Sequence, residues 1–277
     1  MKLDIRTAAS DHLFVVCHRG VTGGNIPCNT MPAYQIALQQ GADMLETDVS
    51  TTADGKLVIF HPRMEKRQLG VDCDISTMPW EEVRQLRYTN ADNIPTQFGL
   101  LTLDEFLEEF KGKCFVNIDK FWGNPAGIYN CVKRHGMIDQ VLVKSRVSEE
   151  VLRVLEEIGP EIPFMPVVYE TAHDHEMLLK RNINYVGVEV VFENEDNYLA
   201  SPDFIQKMQA DGKLVWVNSL IYNTAKQLSG GHSDDTAFTV SPDYGWGWLA
   251  DRGFDIIQTD WPNMLIDYLK RTGRYYN

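Results

Sequence analysis

Four apolar runs in the first half of the chain end in ionisable groups. Residues 14–17 run into His18, Arg19 and Gly20; residues 43–45 into Glu46 and Asp48; residues 57–60 into His61 and Pro62; residues 114–118 into Asp119 and Lys120. Short apolar runs of this kind read as strands, and in parallel α/β proteins ligands and catalysis sit at the carboxyl ends of the strands. Glu46 and Asp48 are spaced i, i+2, so a strand points both to one side. Two carboxylates on one face repel, and a divalent cation relieves the repulsion. An all-oxygen ligand set favours a hard ion, Mg2+ or Ca2+, over zinc. Asp119, at the end of the next barrel strand, supplies the third ligand.

His18 and His61 next to such a cluster can divide the work of phosphodiester cleavage. One takes a proton from the attacking hydroxyl and the other protonates the leaving oxygen, because imidazole titrates near working pH. Arg19 and Lys120 suit the nonbridging phosphate oxygens, arginine as a planar fork and lysine as a point charge. Lys144 and Arg146 end the fourth strand and imply extra negative charge on the substrate or ion pairs with nearby acids. Glu189 ends the sixth strand, within reach of substrate hydroxyls or of Lys144. Trp216 and Asn218 end the seventh, where they suit a polyol or, for the tryptophan, the core. Trp246, Trp248 and Trp261 read as helix-to-barrel packing. His232, beside Asp234 and Asp235, reads as part of a solvated loop, and His173 and His175 as surface residues.

These groups must be held by elements. Short β-rich runs alternate with amphipathic segments, the pattern of βα units around a parallel sheet. Strands are expected over residues 14–17, 44–49, 115–118, 140–144, 164–168, 185–190, 214–217 and 255–259. Helices are expected over 32–40, 103–110, 125–134, 149–158, 174–180, 202–210, 246–251 and 262–271. Ser148, and Ser201 followed by Pro202, are helix-entry signals. Eight such pairs in 277 residues imply an α/β fold, a (β/α)8 TIM-like barrel forming one domain over 1–277. Residues 57–60 form an extra strand, joined through Asp54 and Gly55 as in a hairpin. Residues 62–100 form a small insertion after strand 2, with a helix at 79–87. The stretch 218–244 is long enough to be a lid or a substrate wall.

A net charge of −13, from 26 basic and 39 acidic residues, opposes adsorption to nucleic acid or anionic membranes. The five cysteines show no CxxC spacing and read as reduced core residues. The N-terminal residues lack the apolar stretch of a secretory signal, and no run of about 18 apolar residues occurs. Cytoplasmic location is therefore expected, with no stable membrane association and with homo-oligomerisation left open.

The chain resembles the glycerophosphodiester phosphodiesterase family. The match runs through His18 to Gly20, Asn29 and Thr30, Ala37 to Asp43, Glu46 to Val49, Thr52 to Gly55, and Val58 to His61. It resumes at Leu101 to Leu103, Asn117 to Lys120, and Ile257 to Pro262. The resemblance implies a TIM-like barrel whose metal-dependent site opens a glycerol-type phosphodiester and releases an alcohol. Position by position, His18 and His61 would be the acid–base pair, Glu46, Asp48 and Asp119 would hold one divalent ion, Mg2+ or Ca2+, and Arg19 and Lys120 would bind the phosphate of a small-molecule diester. Three positions depart from the family pattern: Cys28 where an acid commonly stands, Pro62 where aspartate is common, and Asp119 where glutamate is more frequent. These departures motivate one alternative, a catalytically silent barrel that binds or senses a phosphorylated ligand. A second alternative is lysophospholipase D-like activity, which needs a hydrophobic entry surface; no amphipathic membrane helix or basic interfacial cluster is evident in the sequence.

Overall fold

The computed structural model describes residues 4–169, 174–223 and 226–276. Eight parallel strands form a closed barrel: β1 (Phe14–His18), β2 (Met44–Thr51), β3 (Phe115–Asp119), β4 (Val141–Ser145), β5 (Phe164–Val168), β6 (Gly187–Val190), β7 (Leu214–Asn218) and β8 (Ile256–Thr259). Each pairs with the next, and β1 pairs with both β2 and β8, which closes the ring. The intervening helices are α1 (Met31–Gln39), α2 (Leu103–Phe110), α3 (Pro125–Arg134), α4 (Glu149–Ile158), α5 (His175–Leu178), α6 (Pro202–Ala210), α7 (Trp248–Asp251) and α8 (Pro262–Thr272). The expected entry signals operate. Ser148 accepts from Val151 N at the start of α4, and Ser201 accepts from Phe204 N with proline in the first turn of α6. Thr102 and Glu105 form a reciprocal capping box on α2.

The alternation along each strand separates two cores. Leu45, Val116, Val143, Val188, Val215 and Ile257 point outward and pack beneath the helices. Phe14, Val16, Met44, Phe115, Leu142, Met165, Leu214, Trp216 and Ile256 point into the barrel, where Ile5 and Ala9 plug the amino end. A short helix, Ile5–Ala8, capped by Asp4, holds that plug in place.

The expected hairpin exists: Leu57–Ile59 pairs antiparallel with β2. The insertion that follows has a small core of its own, built on Phe60, Leu69, Ile75, Val83, Tyr88 and Leu100. Its helix is shorter than expected, Trp80–Val83. Tyr88 N donates to Phe98 O and Thr96 N to Tyr88 O, which draws the chain into an extended bridge instead of another helical turn. The stretch after β7 is likewise more ordered than a plain loop. Ile221–Asn223 pairs with Lys226–Gln227, and Ser233 caps a helix at Asp234–Thr239. The expected helix at 246–251 starts only at Trp248, after a π-turn over Asp243–Gly247. Gly245 sits so close to the preceding helix that a Cβ would lie 2.6 Å from Ala237 N, so this packing requires glycine. The helix expected at 174–180 spans only His175–Leu178.

Candidate active site

The barrel interior changes character along the strands. Val16 gives way to His18, Met44 to Glu46 and Asp48, Phe115 to Asn117 and Asp119, Leu142 to Lys144, Ile256 to Gln258. In the register, His18 lies beside Glu46 and Glu46 beside Asn117, while Asp48 lies beside Asp119 one pleat higher. The amino half is therefore a packed apolar plug, and the carboxyl half is lined with charge. A cavity of ≈ 170 Å³ opens there, with His18, Arg19, Glu46, His61, Asp119 and Lys120 among its walls.

One oxygen each from Glu46, Asp48 and Asp119 lies within 4.8 Å of the others. Glu46 is 2% exposed and Asp48 fully buried. Arg19 Nε reaches Asp48 Oδ2 at 2.7 Å, and Lys120 Nζ reaches Asp119 Oδ2 at 2.5 Å and Asp48 Oδ1 at 3.6 Å. Even so, neither Asp48 oxygen receives a hydrogen bond of proper geometry. Buried carboxylate oxygens without a well-formed hydrogen bond are costly even beside basic side chains, and three such carboxylates together make an all-oxygen donor set that fits a hard divalent ion. Burial, and then the charge of Asp48, push the Glu46 carboxyl up. Burial pushes Asp119 up as well, but Lys120, with Lys144, outweighs it and holds Asp119 below its ordinary value.

Arg19 and Lys120 both adopt left-handed backbone, φ 57° and 61°. Non-glycine residues hold such a conformation only where the surroundings over-determine it, commonly at functional sites. Gly20 follows at φ 78°, with Ala33 so near that a Cβ would clash at 2.6 Å. The tight turn after β1 thus returns the Arg19 side chain to the barrel mouth.

The two histidines are held by different partners. His18 Nδ1 lies 2.8 Å from Asp260 Oδ1. Asp260 N donates to Oδ2 of Asp234, a buried residue whose Oδ1 accepts from Ser219 Oγ, Trp246 Nε1 and Thr259 Oγ1. Burial pushes Asp234 up to about 7, partly opposed by the donors aimed at it. His61 Nδ1 instead lies 2.9 Å from the Pro62 carbonyl. That carbonyl can only accept, so Nδ1 carries the hydrogen and Nε2 is the lone-pair nitrogen. Burial lowers the His61 pKa, with Asp48 pulling the other way and Arg19 and Lys120 adding to the decrease.

Of the remaining candidates, Lys144, Glu189 and Asn218 line the same cavity. Lys144 is 3% exposed, pairs with Glu189 at 2.6 Å and sits 4.0 Å from the centre of the Trp216 ring. Asn218 donates to Glu189 Oε1 at 2.7 Å. The charge expected to meet a second substrate anion is thus already matched by Glu189. Trp216 is fully buried in the barrel plug and supports Lys144 from below instead of facing the cavity. Arg146 stacks on Tyr169 at 4.5 Å and lines a neighbouring cavity.

Other sequence expectations need correction. His232 is fully buried, stacked 3.8 Å from Trp248, with Nδ1 near Tyr244 O and Nε2 3.0 Å from Glu195 Oε1. A folded wall, not a solvated loop, surrounds it. His175 is buried between Tyr185 and Asp211; His173 lies outside the described residues. Trp246 packs as expected, but Trp261 is 51% exposed. Cys17, Cys114 and Cys131 are buried free thiols, and Cys28 and Cys73 are half-buried. Asp260 and Asp234 were given no role from sequence. Asp260 lies within the motif from Ile257 to Pro262, which was its one available signal.

The mouth of this (β/α)8 barrel thus joins a carboxylate triad to two histidines and two basic side chains. The model of the Glycerophosphoryl diester phosphodiesterase family matches residues 18–264, and the chain belongs to that family. A relative named probable glycerophosphodiester phosphodiesterase 2, from Mycobacterium tuberculosis, is 37% identical over 50% of this chain and 52% of its own length. The chain thus spans about half the length of the curated relatives it matches first. A crystal structure of a glycerophosphoryl diester phosphodiesterase from Parabacteroides distasonis shares the fold, with a TM-score of 0.79 and 18% identity over 95% of this chain and 88% of that one. So does an Oleispira antarctica phosphodiesterase solved with the product sn-glycerol-3-phosphate, with a TM-score of 0.71 and 21% identity over 93% and 96% of the two chains. Among the described residues, no helix is long and apolar enough to cross a membrane.

Proposed function

We propose that the chain hydrolyses a glycerophosphodiester, or a related sugar phosphodiester, to an alcohol and glycerol phosphate. The observation that carries this reading is the convergence of His18, His61, Glu46 and Asp119 on one cavity, with Asp48 buried beside the two carboxylates. Glu46, Asp48 and Asp119 would hold Mg2+ or Ca2+, which lowers the pKa of a nearby hydroxyl and screens the phosphate charge. Arg19 and Lys120 would bind the nonbridging phosphate oxygens.

His61, which lines the polar cavity, would take the proton of the vicinal glycerol hydroxyl at Nε2 as that oxygen bonds to phosphorus. The phosphorus–oxygen bond to the second alcohol breaks, and His18 gives the departing oxygen a proton from Nε2. Attack from within the substrate benefits from proximity. Water then opens the cyclic phosphate with the two histidines exchanging roles: His18 takes the proton of water, and His61 returns one to the ring oxygen.

The test is turnover of glycerophosphocholine, glycerophosphoinositol and lysophosphatidylcholine by the untreated protein, after EDTA, and after restoring Mg2+ or Ca2+. Turnover of a water-soluble diester that EDTA abolishes and metal restores is the expected result. Phosphate-ester binding with no turnover of any substrate would leave the silent-barrel reading. Turnover confined to the lysophospholipid would move the activity to the lysophospholipase D-like alternative. Location and oligomeric state, expected as cytoplasmic and open, need fractionation and sedimentation.

A further inference from the structure

His18 and Arg19 line two cavities. The first is the polar one described above. The second, of ≈ 260 Å³, is walled by Val21, Thr22, Cys28 and Trp261, with Asp260 at its edge. A phosphodiester held at Arg19 has two ester arms, and the two cavities flank the residues that hold it. The polar cavity, with Lys144, Glu189, Asn218 and Gln258 on its walls, offers hydrogen bonds to a polyol. The second cavity offers few.

Of its two charged groups, Asp260 is engaged with His18, and Arg19 is the group that would hold the phosphate. Burial pushes the Cys28 thiol up to about 11, so at neutral pH it is an uncharged, weakly polar surface. Its sulfur faces Gln68 Nε2 at 3.4 Å. The Trp261 ring is half exposed yet braced. Phe238 meets it edge-to-face at 5.2 Å, and Trp261 N donates to Thr259 Oγ1 at 2.9 Å. A large aromatic surface held open beside a proton donor is an unfilled apolar contact.

We propose that this second cavity receives the leaving alcohol of the diester, and that it selects an alcohol with an uncharged apolar body, an alkyl or aryl group, over an anionic or polyhydroxylated one. The inference rests on the phosphodiesterase reading and extends it to the substrate class. His18 then stands where the departing oxygen must be, which agrees with its assignment as the proton donor to that oxygen.

The experiment compares kcat/KM for two diesters of glycerol phosphate, one with benzyl alcohol and one with glycerol as the second alcohol. The protein should prefer the benzyl diester by about tenfold, the scale of a modest apolar pocket. Trp261→Ala, at a half-exposed position, should remove most of that ratio, and Cys28→Asp, which places a carboxylate in the pocket, should invert it. Equal kcat/KM for the two diesters in the parent protein, or an equal loss on both in Trp261→Ala, would overturn the proposal. If neither diester nor any other is turned over, the phosphodiesterase reading fails by itself. Binding of benzyl phosphate then decides the cavity alone, by line broadening of the benzyl proton resonances. Binding weakened at least fivefold in Trp261→Ala, with glycerol phosphate affected less, supports the pocket; unchanged binding rejects it.

Discussion

The two histidines have the same side chain and opposite surroundings. His18 faces a carboxylate across 242 residues of sequence, and that carboxylate is itself fixed by a buried aspartate. His61 faces the carbonyl of the very next residue, in a half-buried setting whose desolvation lowers its pKa. A neutral ring with a fixed Nδ1–H is a ready acceptor at Nε2. A ring whose Nδ1–H is anchored on a carboxylate is oriented to hand a proton from Nε2 and regain it. In the proposed mechanism this difference divides acid from base work between two residues of one type, through the partner of the far nitrogen.

The largest effect expected breaks the pair chemically. His18→Ala and His61→Ala should each lower kcat/KM for a glycerophosphodiester about 10²–10⁴-fold. They should then part company on a diester of glycerol phosphate with p-nitrophenol, a leaving group that needs no proton. His18→Ala should recover most of its loss there, and His61→Ala should not. Recovery by His61→Ala instead would reverse the two assignments.

Asp260 comes next. Asp260→Ala removes the acceptor at His18 Nδ1, and kcat should fall about 10–100-fold with KM changed far less. His61 keeps its own partner, so the p-nitrophenyl diester should be almost insensitive to this change. A fall in kcat as large on that substrate would show that Asp260 serves something other than His18. Asp234→Asn is the weaker echo. It replaces an acceptor by a donor facing one of its four partners, leaving a buried donor unpaired at about 1–3 kcal/mol of stability. Thermal unfolding should record that loss, and kcat should drop less than in Asp260→Ala.

The same contrast explains what could be read from sequence. The barrel was legible because apolar runs and amphipathic segments alternate eight times, and because the four runs in the first half end in ionisable groups. Glu46 and Asp48 were legible as a pair because the strand period puts them on one face. Asp260 was visible only as part of a motif: its partner is set by barrel closure between β1 and β8, which no local pattern encodes. Asp234 was harder still. In sequence it sits among Gly231, His232, Ser233 and Asp235 and reads as solvated, yet tertiary packing against Trp246 and Thr259 buries it. For Lys144 the structure bears out the ion pair with Glu189, one of the two readings open in sequence, while Arg146 stacks on Tyr169, a partner that charge alone does not reveal.

The smallest expected effect is a displacement of the pH profile, and its sign follows from the surroundings of His61. A general base works only unprotonated, so kcat/KM must rise with pH through the His61 pKa. Five influences act on that ring from the elements around it. Burial lowers the pKa, Arg19 from the β1 turn and Lys120 from the end of β3 lower it further, and Asp48 on β2 together with the Pro62 carbonyl raises it. The decrease prevails, so the acid limb should have its midpoint below the ordinary imidazole value of about 6.5. Lys120→Met removes one of the lowering charges. Its acid limb should therefore move up toward the ordinary value, in addition to any loss of phosphate binding seen in KM. A limb that stays in place in Lys120→Met, or moves down, would mean that the titrating group is not His61. The base of the reaction would then have to be sought on the His18 side of the site.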